Sequence, residues 1–414
     1  MAVTTPLDVA RVKKDFPIFE RVVNGHRLVY LDSASSSQKP RAVLDAMDHL
    51  YEHSYANTHR GVYVLGQEST ALYEGAREKV QRFINAPSSR EVLFTKNVTE
   101  AINLVAYSWG RANLGEGDAV LLTEMEHHAD LVPWLVLREE RGIELRFLPV
   151  GDDYQLDLTE LERLIDGVRL VGVAGISNVL GTLNPIRQLA DAAHAAGAVF
   201  LVDGAQYTPH LATDVQALGC DFYGFTGHKM LGPTGIGVLW GREELLDAMP
   251  AFLTGGEMIR DVRLDGWTPN ELPWKFEAGT QPIAEAVGLA AAIEYLEGVG
   301  MQTVREHEVS LTAYALRALT ERHGDKLTIF GPSEPAARGG VISFAYEGVH
   351  PHDVSQVLDE AGVCVRAGHH CAKPLMRRLG VGATARASLY VYNDEADVDA
   401  LNQALDEADR LFAI

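Results

Sequence analysis

Between residues 92 and 240 short apolar runs alternate with stretches of helical pattern, and few folds accept that alternation. Val92–Thr95 reads as a strand, followed by a helix that Asn97 opens and that carries Ala101, Leu104 and Val105. Ala119–Thr123, Val168–Ala174, residues 198–203, Phe222–Thr226 and residues 236–240 read as further strands. Asn184 and Pro185 read as the N-cap and first-turn proline of a helix that Gly197 stops. Residues 198–203 are apolar almost without a break, which suits a strand buried on both faces. Strands alternating with helices imply an α/β fold with a mostly parallel central sheet sandwiched by helices.

The pattern then changes. Residues 339–345 read as a strand, 351–361 as a helix with Val354, Val357 and Leu358 on one face, and 363–366 and 387–392 as strands. An amphipathic helix over residues 395–412 follows. This reads as a smaller α+β C-terminal domain, linked through a helix at residues 283–298. The expected division is 20–297 for the large domain and 298–414 for the small one, joined by the segment 1–19. Residues 252–273, rich in glycine and polar groups, read as a long loop, and such loops are usually functional or mobile.

Composition excludes several classes. The 414 residues are 47% hydrophobic and 22% charged, ordinary for a globular chain, and no apolar run approaches the roughly 20 residues that span a bilayer. A net charge of −21 argues against nonspecific binding to nucleic acid or an anionic membrane. Residues 1–17 carry Asp8, Arg11, Lys13, Lys14 and Asp15 and read as a short surface helix, not a secretory signal. A cytoplasmic location is expected. Cys220, Cys364 and Cys371 are too few for a disulfide framework. Cys220 and Cys364, in apolar surroundings, read as small buried hydrophobes.

Ligands of open α/β sheets bind at the carboxyl ends of the strands. The first strand delivers Asn97-Val98-Thr99-Glu100, a helix N-terminus suited to phosphate. The others deliver Glu126-His127-His128, Ser177-Asn178, Asp203-Gly204-Ala205-Gln206 and Thr226-Gly227-His228-Lys229. Asp203 and Lys229 at the ends of buried strands are costly unless each meets a partner. A phosphate cradle, a buried carboxylate, an imidazole and a buried lysine form the set that pyridoxal phosphate requires.

Here the chain resembles a known family. Tyr30-Leu31-Asp32-Ser33-Ala34-Ser35, Asn57-Thr58-His59-Arg60-Gly61, Met125-Glu126-His127-His128-Ala129 and Ser177-Asn178-Val179-Leu180-Gly181-Thr182 are similar to segments of the fold-type I pyridoxal-phosphate enzymes of the class V aminotransferase group. So are Asp203-Gly204-Ala205-Gln206, Gly227-His228-Lys229 and Gly232-Pro233-Thr234-Gly235-Ile236-Gly237. Arg366-Ala367-Gly368-His369-His370-Cys371-Ala372-Lys373-Pro374 resembles the signature of group II cysteine desulfurases, the SufS-type enzymes of iron–sulfur cluster assembly, and of the related selenocysteine lyases. The resemblance spans residues 12–411.

The resemblance implies roles. Lys229 carries the cofactor and shuttles protons. Asp203 pairs with the pyridinium nitrogen, Gln206 with the phenolic oxygen, and His127 stacks on the ring and serves acid–base steps. Thr99, Thr226 and His228 hold the phosphate, and Thr280 reaches the phosphate of the other subunit of a homodimer. Arg386 clamps the substrate carboxylate with Asn178 beside it, a bidentate task that suits a guanidinium. Arg366 joins them on the substrate side. Thr226 stands where a serine is common, Ser35 where many relatives have alanine, and Val98 where threonine is more usual.

Cys371 sits among polar loop residues, next to His369 and His370 and near Arg366. Protonated neighbours favour a thiolate, the nucleophilic form. The expected reaction is attack of that thiolate on the sulfur of L-cysteine, leaving L-alanine and a persulfide that passes to a SufE-like or SufU-like acceptor. The competing reading of His-His-Cys is a metal site or a packed loop, and no metal ligand set is assigned. Rival functions are a selenocysteine lyase, an aminotransferase, which has no need of Cys371, and a non-catalytic scaffold, which has no need of Lys229.

Overall fold

Seven strands form the large sheet in the computed structural model, which describes residues 6–412. Their order is Val92–Thr95, Gly237–Gly241, Phe222–Thr226, Val199–Asp203, Val168–Ala174, Ala119–Thr123, Glu144–Leu148. The last five are mutually parallel, and Gly237–Gly241 runs antiparallel to both its neighbours. Six strands therefore end at the same edge.

Side-chain alternation explains why these runs are strands. Phe200 and Val202 enter one core with Val80, Leu189, Leu289 and Ile293, while Leu201 enters the other with Ile102, Leu104, Trp134 and Leu137. Each of these large side chains contributes about 1.5–3 kcal/mol by leaving water. With helices over both faces, neither set of side chains can be polar. Gly237 is a close-approach position: a Cβ there would lie 2.5 Å from the Asn97 Cα. Its absence lets the cap of helix Val98–Leu104 settle over the sheet edge.

The small sheet has four antiparallel strands in the order Leu327–Phe330, Val341–Tyr346, Thr384–Ser388, Arg366–Gly368. Helices Met301–His323, Pro351–Glu360 and Glu395–Phe412 pack on it through Leu311, Leu319, Val354, Leu358, Leu401 and Leu405. Helix Ile283–Val299 ends at Gly300, where φ is 87° and helix Met301–His323 begins, three residues past the expected division. The N-terminal segment reaches the small sheet's core further along than residue 19. Val29–Tyr30 pairs in parallel with Val363–Cys364, Val29 and Leu31 enter that core, and Arg27 Nη1 lies 2.6 Å from Asp397 Oδ1.

Several expectations are corrected. Residues 363–366 are two strands in two sheets, Val363–Cys364 with the N-terminal segment and Arg366–Gly368 with Thr384–Ser388. The strand expected at 387–392 lies earlier, at Thr384–Ser388; the apolar run after it is irregular, with Tyr390 and Tyr392 buried and bonded to Pro209 O and Ser33 Oγ. The loop expected at 252–273 contains a hairpin, Ile259–Arg263 with Gly266–Pro269. Asn184 caps nothing: its Nδ2 donates to Ala174 O at 2.8 Å, and Pro185 holds the cap position of helix Ile186–Ala195. Val9–Lys14 is a helix capped by Asp8, as expected of the N-terminal segment, whose first five residues lie outside the described range.

Candidate active site

The strand ends meet the small sheet in one cleft. Thr99, His127, Asn178, Asp203, Gln206, His228 and Lys229 line it from the large sheet, and Arg366, Cys371 and Arg386 from the other side, with Ala34 and Ser35 between. Residues up to 352 positions apart in sequence thus share one space, which local sequence pattern cannot specify.

Lys229 follows strand Phe222–Thr226 in a single tight turn, Gly227–Lys229. Its ammonium makes no hydrogen bond or ion pair among the described residues. Burial pulls its pKa down to about 8, against the opposing pull of Asp203. Asp203 ends strand Val199–Asp203; its Oδ1 accepts the Ala205 N–H at 2.8 Å, and burial raises its pKa. Gln206 Nε2 donates to Ala34 O at 2.6 Å, leaving Oε1 buried without a partner. His127 Nδ1 accepts the Ala129 N–H, so a neutral ring carries its proton on Nε2. Burial, then the charge of Lys229, lowers the His127 pKa to about 3, so the ring is neutral across the physiological range.

The anion end lies at helix Val98–Leu104. Asn97 Oδ1 accepts the Glu100 N–H at 3.0 Å and so caps the helix, while Glu100 reaches back to the Lys96 N–H, one residue before the cap. Thr99 offers an exposed hydroxyl, Thr226 Oγ1 is buried without a partner, and burial lowers the His228 pKa to about 4.

Arg386, on strand Thr384–Ser388, is buried. Its Nη1 donates to Asn178 O at 3.0 Å and its Nη2 to Asp32 Oδ1 at 3.2 Å, and its Nε has no acceptor. Arg366 Nη1 lies 3.8 Å from Asp32 Oδ2. Asp32, for which the sequence reading names no role, thus organises both guanidinium groups. It ends an apolar run, the same signal that drew attention to Asp203.

Cys371 is exposed, Cys364 half-buried and Cys220 buried, and all three are free. Cys364 thus departs from the expected full burial. His370 and Cys371 both adopt left-handed backbone, φ 50° and 56°. Two non-glycine residues in that region cost of order 1–3 kcal/mol each and persist only where contacts impose them. Asn178 Nδ2 supplies one, to His370 O at 2.7 Å, so that amide secures the loop from the large-sheet side.

Thr280 is not brought to the cleft. It is exposed, on a turn anchored by Glu277, which pairs with Arg77 at 2.6 Å and accepts from Tyr73 and from the Phe94 N–H. Two further carboxyl groups lie beneath Asp203. Glu126 accepts from Thr123 and the Ala174 N–H, Asp130 from Trp134, and one oxygen of each is buried without a partner. Burial raises the Asp130 pKa to about 8 and that of Glu126 well above the carboxyl range. In the sequence Glu126 stands out only beside His127, without a role, and Asp130 not at all; two acids four residues apart on a buried turn were the available signal.

This donor set fits pyridoxal phosphate: an unpaired amine, a carboxylate open on one side, unpartnered polar atoms on Gln206 and Thr226, and a helix N-terminus. Among the described residues no cluster of three His, Cys, Asp or Glu could hold a metal ion, and no helix is long and apolar enough to cross a membrane.

A family model described as aminotransferase class-V matches residues 29–401. A probable cysteine desulfurase of Halalkalibacterium halodurans is 50% identical over 407 residues, 98% of this chain and 99% of the relative. A cysteine desulfurase of Haloferax volcanii is 48% identical, over 99% and 98% of the two chains. Among solved structures, the apo cysteine desulfurase of Thermococcus onnurineus NA1 matches with a TM-score of 0.93 at 40% identity, covering 98% of this chain and 99% of that one.

Proposed function

We propose that this chain, which belongs to the aminotransferase class-V family, is a pyridoxal-phosphate-dependent cysteine desulfurase that takes sulfur from L-cysteine, releases L-alanine and holds the sulfur as a persulfide on Cys371. The observation that carries this reading is that Cys371 and Lys229 line one cleft, the thiol exposed and the amine desolvated.

Lys229, Asp203, Gln206 and His127 would hold the ring of the cofactor, with Asn178 at its edge, and Thr99, Thr226 and His228 its phosphate. Bound there, the cofactor supplies an electron sink for the carbon that bears the substrate amine. Arg386 binds the substrate carboxylate, with Arg366 beside it and Asp32 fixing both. Lys229, whose lowered pKa leaves a useful neutral fraction near pH 8, takes the proton from the α-carbon. His127, neutral, holds or passes a proton at Nε2. The Cys371 thiolate then attacks the substrate sulfur. A sulfur–sulfur bond forms, the carbon–sulfur bond breaks, the β-carbon takes that electron pair and a proton to become the methyl group of alanine, and Lys229 returns a proton to the α-carbon.

The exposed thiol suits delivery of the persulfide to a SufE-like or SufU-like acceptor for iron–sulfur cluster assembly. Homodimerisation is part of the proposal. Thr280, exposed and outside the lining of its own cleft, would reach the phosphate of a second copy. Val62, Val64 and Leu264 are exposed apolar residues suited to such a contact. Three free thiols accord with a reducing cytoplasm. The experiment is mass spectrometry after adding cysteine to the holoenzyme. One added sulfur on the peptide that holds Cys371, with an equal amount of alanine, is expected; sulfur on Cys364, or no alanine, overturns the reading.

A further inference from the structure

The Cys371 loop does not hold itself. Within it, the Cys371 N–H donates to His369 Nδ1 at 3.1 Å, and His370 Nε2 pairs with Thr384 Oγ1 at 2.9 Å. Neither contact ties the loop to the large sheet. Besides the Asn178 amide, the hydrogen bonds that do so at Cys371 and Lys373 come from one residue, His128. Its backbone N–H donates to Cys371 O at 2.7 Å, and its ring Nε2 accepts the Lys373 N–H at 3.1 Å. Its ring also lies 5.7 Å from that of His369, tilted by 36°. His128 therefore grips the chain at Cys371 and again two residues later. It does so from the turn that presents His127 to the cleft.

The ring contact fixes a protonation state. An amide N–H can only donate, so Nε2 must be bare and the proton must sit on Nδ1. A protonated ring would set N–H against N–H. The charged and titratable groups facing it are His369 and Lys373 on the loop and His127 on its own turn. Burial, then His369 and Lys373, lowers the His128 pKa, which keeps the acceptor available.

We propose that His128 is a positioning residue for sulfur transfer: as the neutral Nδ1–H tautomer it clamps the Cys371 loop in the conformation that presents the thiol to the cleft. This rests on Cys371 being the sulfur acceptor. It assigns His128 no contact with substrate or cofactor, since its ring does not line the cleft.

His128→Leu removes the acceptor, and His128→Gln keeps one, because the amide oxygen reaches about as far as Nε2. In the holoenzyme three quantities are measured: the rate at which Cys371 gains sulfur at saturating cysteine, the visible cofactor band, and the alkylation rate of Cys371 by iodoacetamide. A misplaced thiol slows transfer by roughly tenfold or more. His128→Leu should show that loss with the cofactor band and KM unchanged and with faster alkylation. His128→Gln should restore both rates to within roughly threefold of wild type. Wild-type transfer in His128→Leu overturns the clamp. So does equal loss in both variants, or loss of the cofactor band in His128→Leu, which would mark a role in building the pocket. If the wild-type protein places no sulfur on Cys371 while alkylation still separates the two variants, the clamp stands and the desulfurase reading falls.

Discussion

The two ends of the cleft are built in opposite ways. The Lys229 end consists of the ends of parallel strands whose every other side chain is locked in one of two cores. Its titratable groups are buried or half-buried, and desolvation sets their protonation. The Cys371 end is a short loop with two left-handed residues, an exposed thiol and a handful of hydrogen bonds to hold it. The difference follows from what each end meets. A cofactor that stays in place is served by a dry, rigid seat, whereas a sulfur atom that arrives from substrate and leaves to a partner needs a group open to both sides.

If that division is right, the two ends separate by mutation. Lys229→Ala should abolish alanine production and the visible cofactor band; normal turnover by this variant would break the comparison at its rigid end. Cys371→Ala should leave the band and cysteine binding intact while alanine formation from cysteine falls by orders of magnitude, since loss of a covalent nucleophile is seldom compensated. Selenocysteine, with its weaker carbon–selenium bond, should lose much less. A Cys371→Ala variant that has also lost its cofactor band would mean that the two ends are one structure.

Stability should separate them as well. Glu277→Ala takes from the buried Arg77 guanidinium its buried carboxylate and leaves it only the more exposed Glu74, a loss of up to about 3–5 kcal/mol. Denaturant titration should show that fall, whereas Cys371→Ala, at an exposed site, should shift the midpoint little. The charge states at the rigid end can be read by pH. The amine of the apo-protein must be neutral to take up the aldehyde, so the rate of cofactor uptake should rise with pH and level off above about 8. A rate still climbing steeply at pH 10 would place the amine near its ordinary value. A further pH effect concerns the acids under Asp203. Folded Asp130 keeps its proton to about 8, whereas the unfolded chain gives it up near the usual carboxyl value of about 4. The folded state then binds more protons across that window, so this contribution to stability is lost as pH rises from about 4 to about 8. Asp130→Asn should flatten that part of the stability profile, and an unchanged slope would show that the carboxyl titrates normally.

The same contrast governs what the sequence could reveal. The rigid end was legible because a charged residue closing an apolar run is expensive, and Asp203 and Lys229 announce themselves by that expense. Asp32 gives the same signal, two residues past the short strand Val29–Tyr30, and its partners Arg366 and Arg386 are more than 330 residues away in the chain. The loop end was legible in composition but not in shape. The left-handed backbone at His370 and Cys371 is imposed by Asn178 and by His128, 192 and more residues away in the chain. Thr384–Ser388 was displaced for a related reason: Thr-Ala-Arg-Ala-Ser has little strand character of its own and pairs because both its neighbours demand it.

The parallel pairing of Val29–Tyr30 with Val363–Cys364 sets an order on how the protein can be made. Translation delivers the strands of the large sheet in sequence, and even Val92–Thr95 has its partner once Gly237–Gly241 has emerged. Val29 and Leu31, bound for the other core, lie more than 300 residues ahead of Val363–Cys364 and have no strand to pair with until it has emerged. Throughout that interval the nascent chain carries an apolar strand with a free edge, the kind of surface that invites pairing with another chain. A message truncated before that point would yield a product whose large sheet is complete and whose leading strand is left without its partner.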